Sequence, residues 1–142
     1  MTVRIDPTVL RQIEGYALEQ FPEEACGLLV GRRDANDVVI SAARESKNLA
    51  ADPCAGFEVD TGLRIRLQRE LRGSDAAVVG VFHSHPSGDP EPSATDRTSI
   101  WEPDLIWLIT AVSAGAVGES RVFAVDSGNT AAAFRRMAMV DA

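Results

Sequence analysis

The chain has two histidines, and they stand one residue apart, as His83 and His85 in Gly80-Val81-Phe82-His83-Ser84-His85-Pro86. They close an apolar run of strand character. In extended backbone, side chains two positions apart point to the same side, so both imidazoles can reach one point in space. Two imidazoles and a carboxylate are the ligand set of a catalytic zinc that keeps a fourth position for water. Asp96 is the natural carboxylate, because Pro86, Gly88, Pro90 and Pro92 force a turning segment that can bring it back towards the histidines. Ser93-Ala94-Thr95-Asp96 also has the pattern of a helix capping box, with Ser93 as N-cap and Asp96 at the third helical position. Capping does not exclude ligation.

The elements that must carry these groups follow from pattern. Asp6-Pro7 opens a helix, as N-cap and first helical residue, with Leu10, Ile13, Ala17 and Phe21 at helical spacing and Pro22 as the stop. Residues 25–30 form a short buried strand. A polar turn over Asp34-Ala35-Asn36-Asp37 joins it to residues 38–42 as a hairpin. Residues 48–58 read as a loop with a turn at Asp52-Pro53, and Phe57-Glu58-Val59 as a brief extended piece. Residues 61–71 fit either a strand or a helix; Leu63, Leu67, Leu71 and a pairing of Glu70 with Arg66 favour the helix. Its Arg64, Arg66, Arg69 and Arg72 read as a solvated basic face.

Residues 76–82 are the strand that delivers the histidines, and Ser93 to about Trp101 starts a short helix broken at Glu102-Pro103. Residues 105–112 are another buried strand, followed by a loop over 114–118. Residues 121–125 and 131–140 pair around a turn at Asp126-Ser127-Gly128-Asn129. Trp101 and Trp107 are both expected in the core. This order predicts an α/β or α+β fold, one mixed sheet with helices packed on its faces.

At 142 residues, one domain spanning 1–142 is expected. The 45% hydrophobic and 25% charged shares are ordinary for a globular protein. A net charge of −7 argues against a partner held by its phosphates, whether nucleic acid or anionic membrane. The opening Met1-Thr2-Val3-Arg4-Ile5 has no signal-peptide character, and no run approaches the roughly 18 apolar residues of a membrane span. Two cysteines, Cys26 and Cys54, are too few for a disulfide scaffold. A cytoplasmic protein is expected.

His83-Ser84-His85-Pro86 followed by Ser93-x-x-Asp96, with Glu24-Ala25-Cys26-Gly27-Leu28-Leu29-Val30-Gly31 far upstream, resembles the JAMM metalloproteases, the zinc-bearing branch of the MPN domains. The resemblance runs from about Ile5 to Asp126. It implies an MPN fold, similar to the cytidine-deaminase-like layout. It implies one zinc per chain on His83, His85 and Asp96, and Glu24 as the general base and acid for the attacking water. Spacing alone gives Glu23 an equal claim to that role. Ser93 would donate a hydrogen bond to the oxyanion. Cys26 reads as a small core hydrophobe and Ser84 as packing.

The resemblance also implies a substrate. Family members cut peptide or isopeptide bonds after the glycine tail of ubiquitin or ubiquitin-like proteins. Small ones act on sulfur carriers, some releasing cysteine. This chain is too compact for the insertions with which eukaryotic relatives grip a second ubiquitin, so a bacterial-type peptidase is expected. An extended tail could join a sheet edge, though the sequence does not show which. Three other readings stand beside it. One is a non-catalytic MPN scaffold, though such relatives have typically lost a ligand. A second is a metal-dependent hydrolase of another amide. The third, a zinc nucleobase deaminase, needs His-x-Glu and Pro-Cys-x-x-Cys, which are absent.

Overall fold

The computed structural model describes residues 1–127 and 132–142. Among these residues seven strands, β1 (Thr2–Ile5), β2 (Cys26–Asp34), β3 (Asp37–Ser46), β4 (Ala77–His85), β5 (Ile106–Ser113), β6 (Ala116–Ser127) and β7 (Ala132–Asp141), alternate with three helices, α1 (Pro7–Gln20), α2 (Thr61–Glu70) and α3 (Ala94–Arg97). The strands run in the order β1-β3-β2-β4-β5-β6-β7, and β1 also pairs with β7, so the sheet closes on itself. The pairs β1–β3, β1–β7 and β4–β5 are parallel; the rest are antiparallel.

The mixed sheet expected from the sequence is present, but its closure was not foreseen. Closure depends on β1, a four-residue strand too short to show a period. Val3 and Ile5 are buried and Arg4 is exposed. The closing seam is short: β1 pairs with Val38–Ile40 of β3 and Ala138–Asp141 of β7, and the rest of those two strands extends beyond it.

Helix α1 starts as predicted, with the Asp6 carboxylate accepting from the Thr8 N–H at 2.8 Å and Pro7 in the first turn. Its buried stripe is Val9, Ile13 and Ala17, one residue round from the expected face; Leu10 and Phe21 are half-buried. Val9 and Ile13 share one core with residues of all seven strands, including Val3, Leu29, Phe82 and Leu108. The ring closes around this helix.

Helix α2 covers the opposite face of β2 and β4. Leu67 is buried there with Leu63 and Leu71 against Leu28, Val30 and Val81. Glu70 pairs with Arg44 on β3 and not with Arg66, and Arg64 leaves the solvated face to meet the Glu102 carboxylate at 2.8 and 3.0 Å. Along β4, Val79 and Phe82 point to the α1 core while Val81 points the other way. His83 and His85 share that outer side.

Three further expectations change. Helix α3 is a single turn that stops at Arg97, well short of Trp101. Trp101 therefore falls on an irregular segment and is 86% exposed, whereas Trp107 is buried on β5 as expected. Strands β5 and β6 turn tightly over Gly115, which has φ 74°, so β6 begins at Ala116, inside the expected loop. The turn expected at Asp126 to Asn129 extends into residues 128–131, outside the described residues. No helix among the described residues is long and apolar enough to cross a membrane.

Strand β2 passes very close to its neighbours at Gly27, where a Cβ would lie 2.1 Å from the Arg44 carbonyl oxygen and 2.5 Å from the Phe82 ring. Gly27→Ala should lower stability by roughly 1–3 kcal/mol, as overpacked cores do. Urea unfolding measures this, and an unchanged midpoint would contradict the close approach.

Candidate metal centre

Strand register builds the site. Cys26 of β2 faces His83 of β4, and the chain ahead of β2 continues the pairing: the Ser84 N–H donates to the Ala25 carbonyl at 2.9 Å. One step further, Glu24 falls opposite His85, on the same face. Ser84 strengthens this junction. Its buried hydroxyl oxygen accepts from the Ala25 N–H at 2.8 Å, which is more than the packing role expected of it. Of the two neighbouring glutamates, Glu24 is buried beside the histidines and Glu23 is exposed.

Asp96 arrives by the capping box. Ser93 Oγ accepts from the Asp96 N–H at 3.0 Å, and Asp96 Oδ2 accepts from the Ser93 N–H at 2.9 Å. The same Oδ2 lies 2.9 Å from His85 Nε2 and 3.2 Å from His83 Nε2. Capping and convergence on the histidines are therefore two uses of one carboxylate. The proline-rich segment turns back at Gly88, whose φ is 82°, and presents the Asp89 carbonyl to His85. His85 Nδ1–H donates to it at 2.7 Å, leaving Nε2 as the nitrogen aimed into the cluster.

Glu24, His83, His85 and Asp96 are all buried, and one ligand atom from each lies within 4.8 Å of the others. The two Nε2 atoms are 3.0 Å apart, and Glu24 Oε1 is 4.0 Å from His83 Nε2. Zinc–nitrogen bonds of 2.0–2.1 Å in a tetrahedral site put ligand atoms about 3.3 Å apart, close to the spacing seen. Glu24 Oε1 and His83 Nδ1 are buried without a hydrogen-bond partner. Converging lone pairs beside an orphaned carboxylate oxygen are the environment of a cation and its water. The residues fit a metal.

Aromatic rings hold His83 in place. Phe57 stacks on it, with ring centroids 4.2 Å apart and planes at 18°, and Trp107 meets it edge-on at 5.4 Å. Neither ring was singled out from the sequence as part of the site. A groove of about 460 Å³ begins at these two rings and runs over Leu28 and Val81 between Arg64 and Trp101.

Electrostatics divide the four groups in the metal-free protein. Burial pushes the Glu24 carboxyl up to about 7, helped by Asp96 and Asp52 and opposed by His85. Burial lowers the His83 pKa and keeps that imidazole neutral. Burial would lower His85 too, but the Asp96 carboxylate and Asp89 carbonyl outweigh it and raise the value. Asp96 lies far below the usual carboxylate range; burial opposes its ionisation, and hydrogen bonds from both histidines and the Ser93 N–H prevail. Cys26 is buried, its thiol pushed up to about 12 by burial, as suits the core role expected of it.

A sequence model described as prokaryotic homologues of the JAB domain matches residues 6–126. The chain belongs to this family. It is a JAMM/MPN-type domain, as the motif implied. A desampylase of Haloferax volcanii is 39% identical over 88 residues, which span 62% of this chain and 62% of the relative, so under two thirds of the relative's length is matched. A CysO-cysteine peptidase of Mycobacterium bovis is 24% identical over 115 residues, covering 78% of this chain and 73% of that one. A protein of Desulfitobacterium hafniense solved in solution superposes with a TM-score of 0.81 at 24% identity, covering 100% of this chain and 94% of that one, which shows the fold.

The raised Glu24 pKa of this JAB domain sets a pH dependence. A group whose pKa rises on folding favours the folded state below its unfolded value, near 4.5, and loses that contribution as pH climbs through about 7. Glu24→Gln has no charge to bury. In metal-free protein the variant should melt above wild type at pH 8, with the gap closing as pH falls below 4.5. Thermal melts in chelator test this, and a gap independent of pH would refute the buried, raised carboxyl.

Proposed function

We propose that the chain is a single-domain zinc metallopeptidase, acting in the cytoplasm. In this reading it hydrolyses the peptide or isopeptide bond after the C-terminal glycine tail of a ubiquitin-like or sulfur-carrier protein. The observation that carries this reading is the buried cluster of Glu24, His83, His85 and Asp96 within a JAB domain. The similarity to a desampylase and a CysO-cysteine peptidase supports the substrate class.

His83, His85 and Asp96 would hold the ion, leaving Glu24 as the free carboxylate. When bound, zinc supplies Lewis acidity that polarises a carbonyl and brings a water's pKa towards neutrality. Glu24 takes one proton as the water oxygen attacks the carbonyl carbon. When the C–N bond breaks, the same carboxyl returns a proton to the leaving nitrogen. A carboxyl raised by burial suits a group that must act as base and then acid near neutral pH.

Ser93 contributes through the hydrogen its capping bond leaves free. Its oxygen accepts from the Asp96 N–H, so its O–H can still donate to the oxygen that gains charge. Phe57 and Trp107 exclude water from one side of His83. The groove that starts at these rings would receive the tail.

Purified wild type should carry about one zinc per chain, and His83→Ala should lose it by elemental analysis, as a three-ligand site requires. Glu24→Gln should keep the metal while turnover of a ubiquitin-like protein extended beyond its glycine tail falls by about 10²–10⁴. Near-normal rates in Glu24→Gln would remove it from the mechanism. Asp96→Ala should lose metal and turnover together; a fully metallated variant would reduce Asp96 to a capping residue.

A further inference from the structure

Asn48 stands just past β3, half-buried, and its carboxamide joins the Glu24 backbone to the segment that carries Phe57. Its Nδ2 donates to the Glu24 carbonyl at 3.0 Å and the Gly56 carbonyl at 2.9 Å, with the Pro53 carbonyl at 3.4 Å. Its Oδ1 accepts from the Ala50 N–H at 3.0 Å and the Glu58 N–H at 3.1 Å. These partners fix the amide's orientation, since a flipped group would turn its oxygen on three carbonyls.

The bonds close a loop. Leu49 N–H donates to the Glu58 carbonyl at 2.9 Å, and Asn48 bridges to Val59, so residues 49–58 leave and return at one point. Both ends of the site rest on this loop. Near its tip, the Pro53 carbonyl accepts from the Glu24 N–H at 2.7 Å. On its returning limb, Phe57 stacks on His83. Glu24 lies ahead of β2, outside its paired residues, so its N–H and carbonyl are held by the Pro53 carbonyl and the Asn48 amide.

We propose that Asn48 is a positioning residue that sets the Glu24 backbone, and with it the carboxylate, against the histidines while holding Phe57 on His83. The catalytic half of this inference rests on the peptidase reading above; the geometric half does not. A side chain that only closed a surface loop would affect melting temperature and nothing at the site. A positioning residue governs the rate, because small displacements of a reacting group are costly.

Two variants and one control test this in zinc-loaded protein with carbon-13-labelled histidine, where the two histidines give one set of ring signals each. Phe57→Leu removes the stack and marks the direction in which the His83 resonances then move. Asn48→Ala should move them the same way and keep its zinc. With a ubiquitin-like protein extended beyond its glycine tail as probe, its kcat should fall by about 100-fold with KM little changed. Asn48→Asp retains an acceptor for the Ala50 and Glu58 N–H groups but loses both donors. Its second oxygen would face the Glu24 and Gly56 carbonyls, so it should melt below wild type and lose at least the same kcat; measured below its melting temperature, it decides the matter by the same criteria if Asn48→Ala does not fold. Wild-type His83 resonances and wild-type kcat, with only a lower melting temperature, would overturn the proposal. If wild type does not cleave the probe, the peptidase reading fails, and the histidine spectra still decide whether Asn48 positions the site.

Discussion

Everything at the site depends on the antiparallel pairing between the entry to β2 and the end of β4. That ladder puts Cys26 opposite His83 and Ala25 opposite Ser84, and so carries Glu24 to the level of His85. A slip of one residue would send Glu24 to the opposite face, because strand side chains alternate. The Ser84 hydroxyl, accepting from the Ala25 N–H, pins this register from inside the ladder. Gly27 then lets the ladder lie tightly on Phe82 and the chain around Arg44. Residues separated by about sixty positions in sequence become neighbours through one ladder.

The polar cluster is an uneven bargain with burial. Asp96 is compensated by both imidazoles and the Ser93 N–H, so its charge is stable in the interior. Glu24 is not: Oε1 has no partner, and burial drives its carboxyl towards the neutral form. Uncompensated burial of a titratable group costs stability, and such groups concentrate where chemistry needs a perturbed pKa. Of the two carboxylates in one pocket, one is held charged and the other is driven towards its neutral form.

Much of this was legible because periodicity and turn chemistry are local. The His-x-His spacing on a strand, the capping box at Ser93 and the proline-rich return all act over a few residues, and all appear in the structure. The helical leucines Leu63, Leu67 and Leu71 also pack as their spacing indicates. What was hidden depends on contacts between distant segments. Strand β1 is too short to show alternation, so ring closure left no pattern. Trp101 looked like core because its type is apolar, yet the one-turn helix before it leaves the ring in solvent. The choice of Glu24 over Glu23 needed the β2–β4 register or a family motif. Asn48 and Phe57 lie in a loop, where no period marks which side chains turn inward.

Closure of the sheet also affects how the molecule behaves among its own copies. An open strand offers a row of unpaired amides that a second chain can extend, and natural sheets guard such strands with charges, prolines or bulges. Here β1 pairs with Val38–Ile40 of β3 and Ala138–Asp141 of β7, closing the ring over a short seam. Beyond that seam side chains of α1 guard β3, Gln12 donating to the Ala43 carbonyl and Tyr16 to the Ser46 carbonyl, and the apolar faces are covered by α1 within and α2 without. A ring joined over a short seam, with part of its remaining edge already occupied by side chains, leaves a second copy less strand to extend, while the hydrophobic β5 is paired on both sides.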